Sequence, residues 1–336
     1  MKVGITYNLK TEVELLDQSQ PLAEDMYEEF DSPETINAIR DVIVGLGHEC
    51  VMLGYGKPAV EKIMKIEGDL DIVFNIAEGY FGRSRESHIP ALLEMLEIPY
   101  TGSGALAAGL TLDKTLAKKI ISISGVHTPP FYTIWPDEHF NYNVVDYPSI
   151  VKLAYEGSSK GIRQDSKVTN KSELKKKVKW LQKNYMDQPI LVEKFMPGRE
   201  FTVGVIGNDK PKILGIMEII PKNTKLEDFI YSLEVKRNYL QEVEYTCPPK
   251  ISDLLRGRLE RAALRVYKAF NCCDVSRIDF RTDGRNIPYF LEINVLPGLH
   301  PVSSDLVIMA RLLGISYNDL VKSIFNTAVE RYGLKK

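Results

Sequence analysis

The sequence predicts an α/β protein whose N-terminal lobe, residues 1–97, holds a parallel sheet and whose remaining residues mix strands, helices and a hairpin. Three observations predict it. Residues 1–97 alternate short apolar runs with helical segments, the pattern of strands covered by helices. From 149 to 220 apolar runs follow one another with only a lysine-rich helical segment among them. Residues 275–304, VSRIDFRTDGRNIPYFLEINVLPGLHPVSS, read as a β-hairpin turning at Asp283-Gly284.

In the first lobe the expected strands are 2–7, 49–53 and 71–76, and helices are expected from about 33, over 58–66 and over 87–96. Asp31-Ser32 can cap the helix at Pro33, proline suits its first turn, and Gly45 and Gly47 end it. Residues 11–34 hold nine carboxylates and no Lys or Arg. Such a run is a solvated loop, or a lid or surface that recognises an amine-bearing substrate.

Residues 98–109, IPYTGSGALAAG, loosely match a dinucleotide-binding fingerprint, but the acidic residue expected about 20 positions on is replaced by IISISG. Instead Asp113-Lys114 opens a helix that Gly125 and Thr128-Pro129-Pro130 close. A strand at 149–154 carries Lys152, and the loop 155–162 follows with Gly157, Ser158, Ser159 and Gly161 before extended chain near 166–168. A glycine-bearing loop between strands can cover phosphates with its N–H groups, although this is not a Walker A loop. The lysines of 171–179 read as the solvated face of a helix. Strand 189–193 ends in Glu193 and strand 201–206 follows Glu200, so these acids bracket a short connection where a cleft opens; either also fits a plain surface acid. Strand 213–220 continues the sheet, and 221–238, with Lys222, Lys225, Lys236 and Arg237, has the length of a lid or a disordered loop. An amphipathic helix at 251–270 leads into the hairpin, and helices 306–313 and 317–332 end the chain.

In the hairpin, pairing Asp279 with Glu292 sets Arg277 against Asn294, with all four on one face and Ile278, Phe280, Leu291 and Ile293 on the other. Two carboxylates roughly 5 Å apart destabilise a bare hairpin. A cation belongs beside them, and two carboxylates with an amide oxygen are hard ligands of the kind Mg²⁺ accepts. An ordinary edge hairpin with a solvated outer face has the same pattern.

Composition narrows the partners. With 43 Lys and Arg against 45 Asp and Glu the formal charge is -2, which argues against a nucleic-acid or membrane-surface protein. No run of 18 apolar residues exists, and Met1-Lys2-Val3-Gly4 leads directly into a strand, so a cytoplasmic location is expected. Cys50, Cys247, Cys272 and Cys273 and the five histidines lack metal-ligand spacing.

Two lysines on separate elements, a glycine-serine loop, paired acids on a hinge and an Asp/Glu/Asn hairpin form a set suited to ATP with Mg²⁺. In this order the chain resembles the ATP-grasp superfamily, and within it the D-alanine–D-alanine ligase type of carboxylate–amine ligase. The matching segments are Tyr100-Thr-Gly-Ser-Gly104, Asp113-Lys114, Val151-Lys152 with Glu156-Gly-Ser-Ser159, Leu191-Val-Glu193 with Gly198-Arg-Glu-Phe-Thr-Val203, Arg277-Ile-Asp279, Leu291-Glu-Ile-Asn294, and Pro297-Gly298 through Ser303. The resemblance implies a Rossmann-like lobe over 1–97 before two α+β ATP-grasp subdomains, 98–186 and 187–336, that clasp ATP, and an ADP-forming C–N ligase that is a homodimer using two Mg²⁺, with Mn²⁺ as a substitute. It implies that Lys114 and Lys152 contact phosphates under a loop bearing Ser158 and Ser159. Glu193, Phe195 and Met196 would receive adenine, Glu200 the ribose, and Lys236 the γ-phosphate from the lid. Asp279, Glu292 and Asn294 would hold the metal, Arg277 and the Gly298 N–H the oxyanion, and Ser303 with Ser304 the second substrate's carboxylate.

The chain departs from that family in its first lobe. The Gly-Gly-x-Ser-x-Glu motif after strand one is absent, Asn8-Leu9-Lys10-Thr11 standing there, and His-Gly-x-x-Gly-Glu-Asp is replaced by Asn75 to Glu86, NIAEGYFGRSRE. Glu78, Arg83, Arg85 and Glu86 are therefore expected to read an altered carboxylate substrate. Two alternatives stand beside a ligase of two amino acids, or of an amino acid and another carboxylate: a D-alanine–D-alanine ligase of peptidoglycan synthesis, and an ATP-binding regulatory protein without turnover.

Overall fold

The computed structural model describes residues 1–10, 23–185 and 188–335. Residues 11–22, half of the acidic run, lie outside the described residues. Strands β1 (Lys2–Thr6), β2 (Glu49–Gly54) and β3 (Ile72–Asn75) form a parallel sheet of order β2-β1-β3. Helices α1 (Pro33–Gly45), α2 (Gly56–Ile66) and α3 (His88–Met95) cover it. The Ser32 hydroxyl caps α1, accepting from the Thr35 N–H at 3.3 Å. Ile36, Ile39 and Ile43 recur at helical spacing and are buried against Val3 and Ile5.

Two helices then pack on strands that no local pattern links to them. Helix α4 (Ala105–Leu112) and helix α5 (Lys114–Ile123) lie against the C-terminal half, with Ala108, Ala117 and Ile121 in one core with Phe201, Ile278 and Phe290. The middle sheet has the order β4-β7-β5-β6, from β4 (Phe131–Ile134), β5 (Ser149–Leu153), β6 (Lys167–Val168) and β7 (Ile190–Lys194). The expected boundary at 186/187 thus falls ahead of a strand belonging to the middle sheet. Helix α6 (Lys171–Asn184) covers that sheet through Leu174, Val178 and Leu181. Its lysines are not all solvated: Lys177 is buried, with Nζ 2.5 Å from Asp165 Oδ1.

The largest sheet runs β10-β9-β8-β11-β12, from β8 (Glu200–Ile206), β9 (Lys212–Pro221), β10 (Val243–Thr246), β11 (Val275–Thr282) and β12 (Pro288–Asn294). Between β9 and β10 the expected lid contains its own short helices, α7 (Leu233–Arg237) and α8 (Tyr239–Glu242). It is not structureless, because its own Phe229, Ile230, Leu233 and Val235 are buried. Helix α9 (Asp253–Ala269) covers one face of the sheet. Helix α10 (Asp305–Leu312) covers the other, where Gly204 and Gly215 permit close approach: a Cβ at either would meet Met309. With α11 (Tyr317–Arg331), α10 also joins the core of the first lobe, Leu306, Ile324 and Phe325 packing with Val3, Ile5 and Phe74. Each such side chain contributes about 1.5–3 kcal/mol on burial, so the end of the chain locks the first lobe to the last.

The hairpin has the expected register, Arg277 opposite Asn294 and Asp279 opposite Glu292, but a β-bulge follows. Phe280 pairs with Phe290, leaving Leu291 as the extra residue of β12. The core therefore takes Phe290, fully buried, while the expected core residue Leu291 is only half-buried and lines a cavity. Among the described residues no helix is long and apolar enough to cross a membrane.

Candidate active site

Asp113 caps α5, accepting from the Leu116 N–H at 3.0 Å, and so places Lys114 at the helix start. The Lys114 ammonium donates to the Glu156 carbonyl at 2.5 Å and lies 3.4 Å from Glu292 Oε2. One turn later Lys118 is fully buried, its Nζ 2.7 Å from Glu193 Oε2 and donating to Thr128 Oγ1 (3.0 Å) and the Phe290 carbonyl (3.2 Å). Lys152 on β5 holds the other oxygen, Oε1, at 2.7 Å. Burial works against the Glu193 anion, but the two lysines hold its pKa below the usual carboxylate value. Burial brings Lys118 down to about 8 against the pull of Glu193.

Glu200, at the start of β8, is raised by burial despite Arg281, whose Nη1 lies 3.4 Å away. Arg281 also donates to the carbonyls of Phe229 (2.8 Å) and Leu226 (2.9 Å) and stacks on Phe195, so it ties the base of the lid to the cleft floor.

On the hairpin, Arg277 donates to both oxygens of Asp279, at 3.2 and 3.0 Å, and its Nη1 is 3.4 Å from Asp305. The Thr202 hydroxyl also donates to Asp279. Burial nevertheless raises the Asp279 pKa, with Glu292 adding to the rise. Glu292 is driven the other way: burial opposes its charge, but Lys114, Lys152, Lys236 and Arg277 hold it far below its ordinary value. The donor set fits a divalent cation. Asp279, Glu292 and Asn294 share a face, and their two carboxylates and amide oxygen are hard oxygen ligands.

Two cavities flank this face. The first is lined by Lys152, Ser159, Glu193, Phe195, Met196, Glu200, Leu291 and Asp279. The second is lined by Glu29, Glu78, Glu86, Lys114, Ser158, Arg277, Asn294 and Gly298. Lys236 and Glu292 line both, so the cavities meet there. Ser158 and Ser159 both hold positive φ, 47° and 60°, a left-handed conformation that bends the loop sharply there. The far end of the second cavity is acidic. Burial, then Glu86, pushes Glu78 well above its ordinary value, and burial raises Glu86 to about 7.

The structure thus brings together the phosphate, adenine, ribose, metal and oxyanion candidates, with Glu78 and Glu86. It does not bring Arg85 to the cavity wall. That guanidinium is buried on Glu29 (2.8 Å), Glu156 (3.3 Å) and the Tyr155 carbonyl (2.8 Å). Arg83 pairs with Asp113 at 2.7 Å. Ser303 is exposed beside His300 Nδ1 (3.1 Å), and the Ser304 hydroxyl accepts from the His300 N–H and backs Gly298, outside both linings. Sequence reasoning missed Lys118, Glu29 and Arg281. Only Lys118 carried a signal, standing four residues after Lys114 and so on the same helix face.

The family described as D-ala D-ala ligase C-terminus matches residues 123–326. A D-alanine–D-alanine ligase of Carboxydothermus hydrogenoformans is 33% identical over 309 residues, covering 89% of this chain and 94% of the relative. One of Pelotomaculum thermopropionicum is 30% identical over 316 residues, covering 91% and 94%. The crystal structure of the Bacillus anthracis D-alanine–D-alanine ligase complexed with ATP superposes with a TM-score of 0.74 over 99% of each chain, at 22% identity, and shows the shared ATP-grasp fold. Fold, order of motifs and sequence identity agree: the chain belongs to the D-alanine–D-alanine ligase family.

Proposed function

We propose that the protein is an ATP-dependent carboxylate–amine ligase, ADP-forming, which joins two amino acids, or an amino acid and another carboxylate, through an acylphosphate. The observation that carries this is the junction of the two cavities at Lys236 and Glu292, where a phosphoryl group from one side can meet a carboxylate from the other. Glu193 with Phe195 and Met196 binds adenine, Glu200 binds the ribose, and Lys114 and Lys152 with the Ser158–Ser159 loop orient the phosphates. Asp279, Glu292 and Asn294 would hold Mg²⁺, two ions by the family resemblance with Mn²⁺ as a substitute, supplying charge neutralisation on the transferred phosphoryl group. Arg277, with the Gly298 N–H, would hold the oxyanion that forms when the amine attacks the acyl carbon, and losing one such donor costs about 3 kcal/mol. The lid over 221–238 keeps water from the acylphosphate.

The first substrate is read at the acidic end by Glu78 and Glu86. Arg85 is committed to Glu29 and Glu156 and does not serve there. The experiment is ADP release with Mg²⁺ and ATP across a broad amino-acid panel, with mass spectrometry of the product. Amino-acid-dependent ADP release with a new amide is expected. No such release would overturn the ligase reading, and rapid joining of two D-alanines would overturn the altered first-substrate pocket. The homodimer that the resemblance implies is checked by light scattering.

A further inference from the structure

Residues 23–31 contain Glu24, Asp25, Glu28 and Glu29, and all four reach other elements of the molecule. Two go to the glycine loop. Asp25, fully buried, accepts from the Gly161 N–H (2.9 Å) and the Tyr185 hydroxyl (2.5 Å) and lies 3.1 Å from Arg163 Nη2. Glu29 accepts from the Gly157 N–H and lies 2.7 Å from Lys160 Nζ. The approach is so close that a Cβ at position 157 would meet Glu29 Oε1 at 2.6 Å, which gives that glycine its reason.

The other two go to the lid. Arg237 donates to both oxygens of Glu28, at 3.2 and 2.9 Å, and to Glu24 Oε1 at 2.6 Å. Its neighbour in α7 is Lys236, the lysine shared by the two cavities. Loop and lid are joined as well. Arg163 Nε is 3.2 Å from Glu234, the Leu233 N–H donates to the Ile162 carbonyl at 3.2 Å, and the Ser159 hydroxyl to the Tyr231 carbonyl at 3.0 Å.

We propose that residues 23–31 form an ionic strap that fastens the lid to the glycine loop, with Arg237 as the positioning residue that keeps Lys236 over the cavity junction. The strap has no regular secondary structure of its own, and its hold on the lid is a forked arginine–carboxylate pair in partial contact with solvent. Such a fastening is adjustable, since exposed pairs are weak and screened by salt. Building on the ligase reading, a fastened lid commits the acylphosphate to the amine, and a released lid admits water, which cleaves the acyl–phosphate bond to return the carboxylate and inorganic phosphate. ATP is then consumed without amide.

The test compares Arg237→Ala, and separately Glu24→Gln with Glu28→Gln, with the unaltered protein. With the most active pair of the panel, the ratio of ADP released to amide formed should rise from near one to about threefold or more. Amide exchange of residues 225–240 under Mg²⁺ and a non-hydrolysable ATP analogue should quicken by about fivefold. Reversing the pair, Arg237→Glu with Glu24→Arg and Glu28→Arg, should restore both, a rescue that a merely structural arginine would not show. Unchanged ratio and exchange in Arg237→Ala, or loss that charge reversal leaves unrepaired, would overturn the strap. The exchange arm needs no turnover, so a protein that failed the amino-acid panel would sink the ligase reading while the strap was still decided.

Discussion

The two ends of the joined cavity handle charge in opposite ways. At the nucleotide end each buried acid has a cation within reach: Glu193 lies between Lys118 and Lys152, and Glu292 faces Lys114. Both are held below their ordinary pKa values. At the other end Glu78 and Glu86 face each other, with Asp31 nearby, and burial raises all three, Asp31 and Glu86 to about 7. The cations there, Arg85 and Lys160, are used by Glu29 and Glu156. In the nucleotide half Glu193 and Glu292 are therefore compensated before ligand arrives, although burial still raises Asp279 and Glu200, and the other half holds acids whose ionisation a cationic ligand would favour. A preorganised half suits a constant substrate such as ATP. An uncompensated half suits the partner that gives the enzyme its specificity.

The sharpest way to break this contrast is Glu292→Gln. If the nucleotide half works as a prepaired charge array, losing its central carboxylate removes several kcal/mol of transition-state stabilisation, about three orders of magnitude in ADP formation, with the circular dichroism spectrum unchanged. Full activity would remove both the metal assignment and the contrast. Lys118→Met tests the same half at its deepest cation. Glu193 keeps Lys152, so the fold should persist, while the Michaelis constant for ATP rises by about 10- to 100-fold for one buried charge-assisted hydrogen bond.

The smallest effect probes the acidic end by pH. An acid whose folded pKa is raised binds its proton more tightly in the folded than in the unfolded state, so stability falls as pH rises from the unfolded value toward the folded one. For Glu86 that window runs from its ordinary value of 4.5 to about 7. Thermal unfolding should show stability declining from about pH 4.5 to about pH 7, with Glu86→Gln flattening that slope by at most about 1.4 kcal/mol per pH unit. A slope unchanged in that variant would mean that Glu86 is already compensated, and the two ends would no longer differ there.

Much of the nucleotide half was legible because its signals are local. Asp283-Gly284 and period-2 alternation set the hairpin register, and the Asp113 cap placed Lys114. The bulge at Leu291 was not legible, because alternation alone does not reveal one extra residue when both neighbours, Phe290 and Glu292, fit their faces. Glu29 and Asp25 looked like solvated acids, since their partners, Arg85, Lys160 and Arg163, lie from 56 to more than 130 residues away in sequence. Arg85 looked free for the same reason, whereas Ser303 was assigned by the family resemblance, and its partner His300 stands only three residues away.

By itself the sequence determined the order of elements, the parallel first lobe, the register of the hairpin and the kind of chemistry its polar face supports, because each follows from contacts within one element or between neighbours in the chain. The tertiary structure decided which charges are compensated. Whether an acid is a ligand-reading group or half of an internal ion pair depends on burial and on cations brought from distant elements, and a carboxylate's neighbours in sequence carry no record of either.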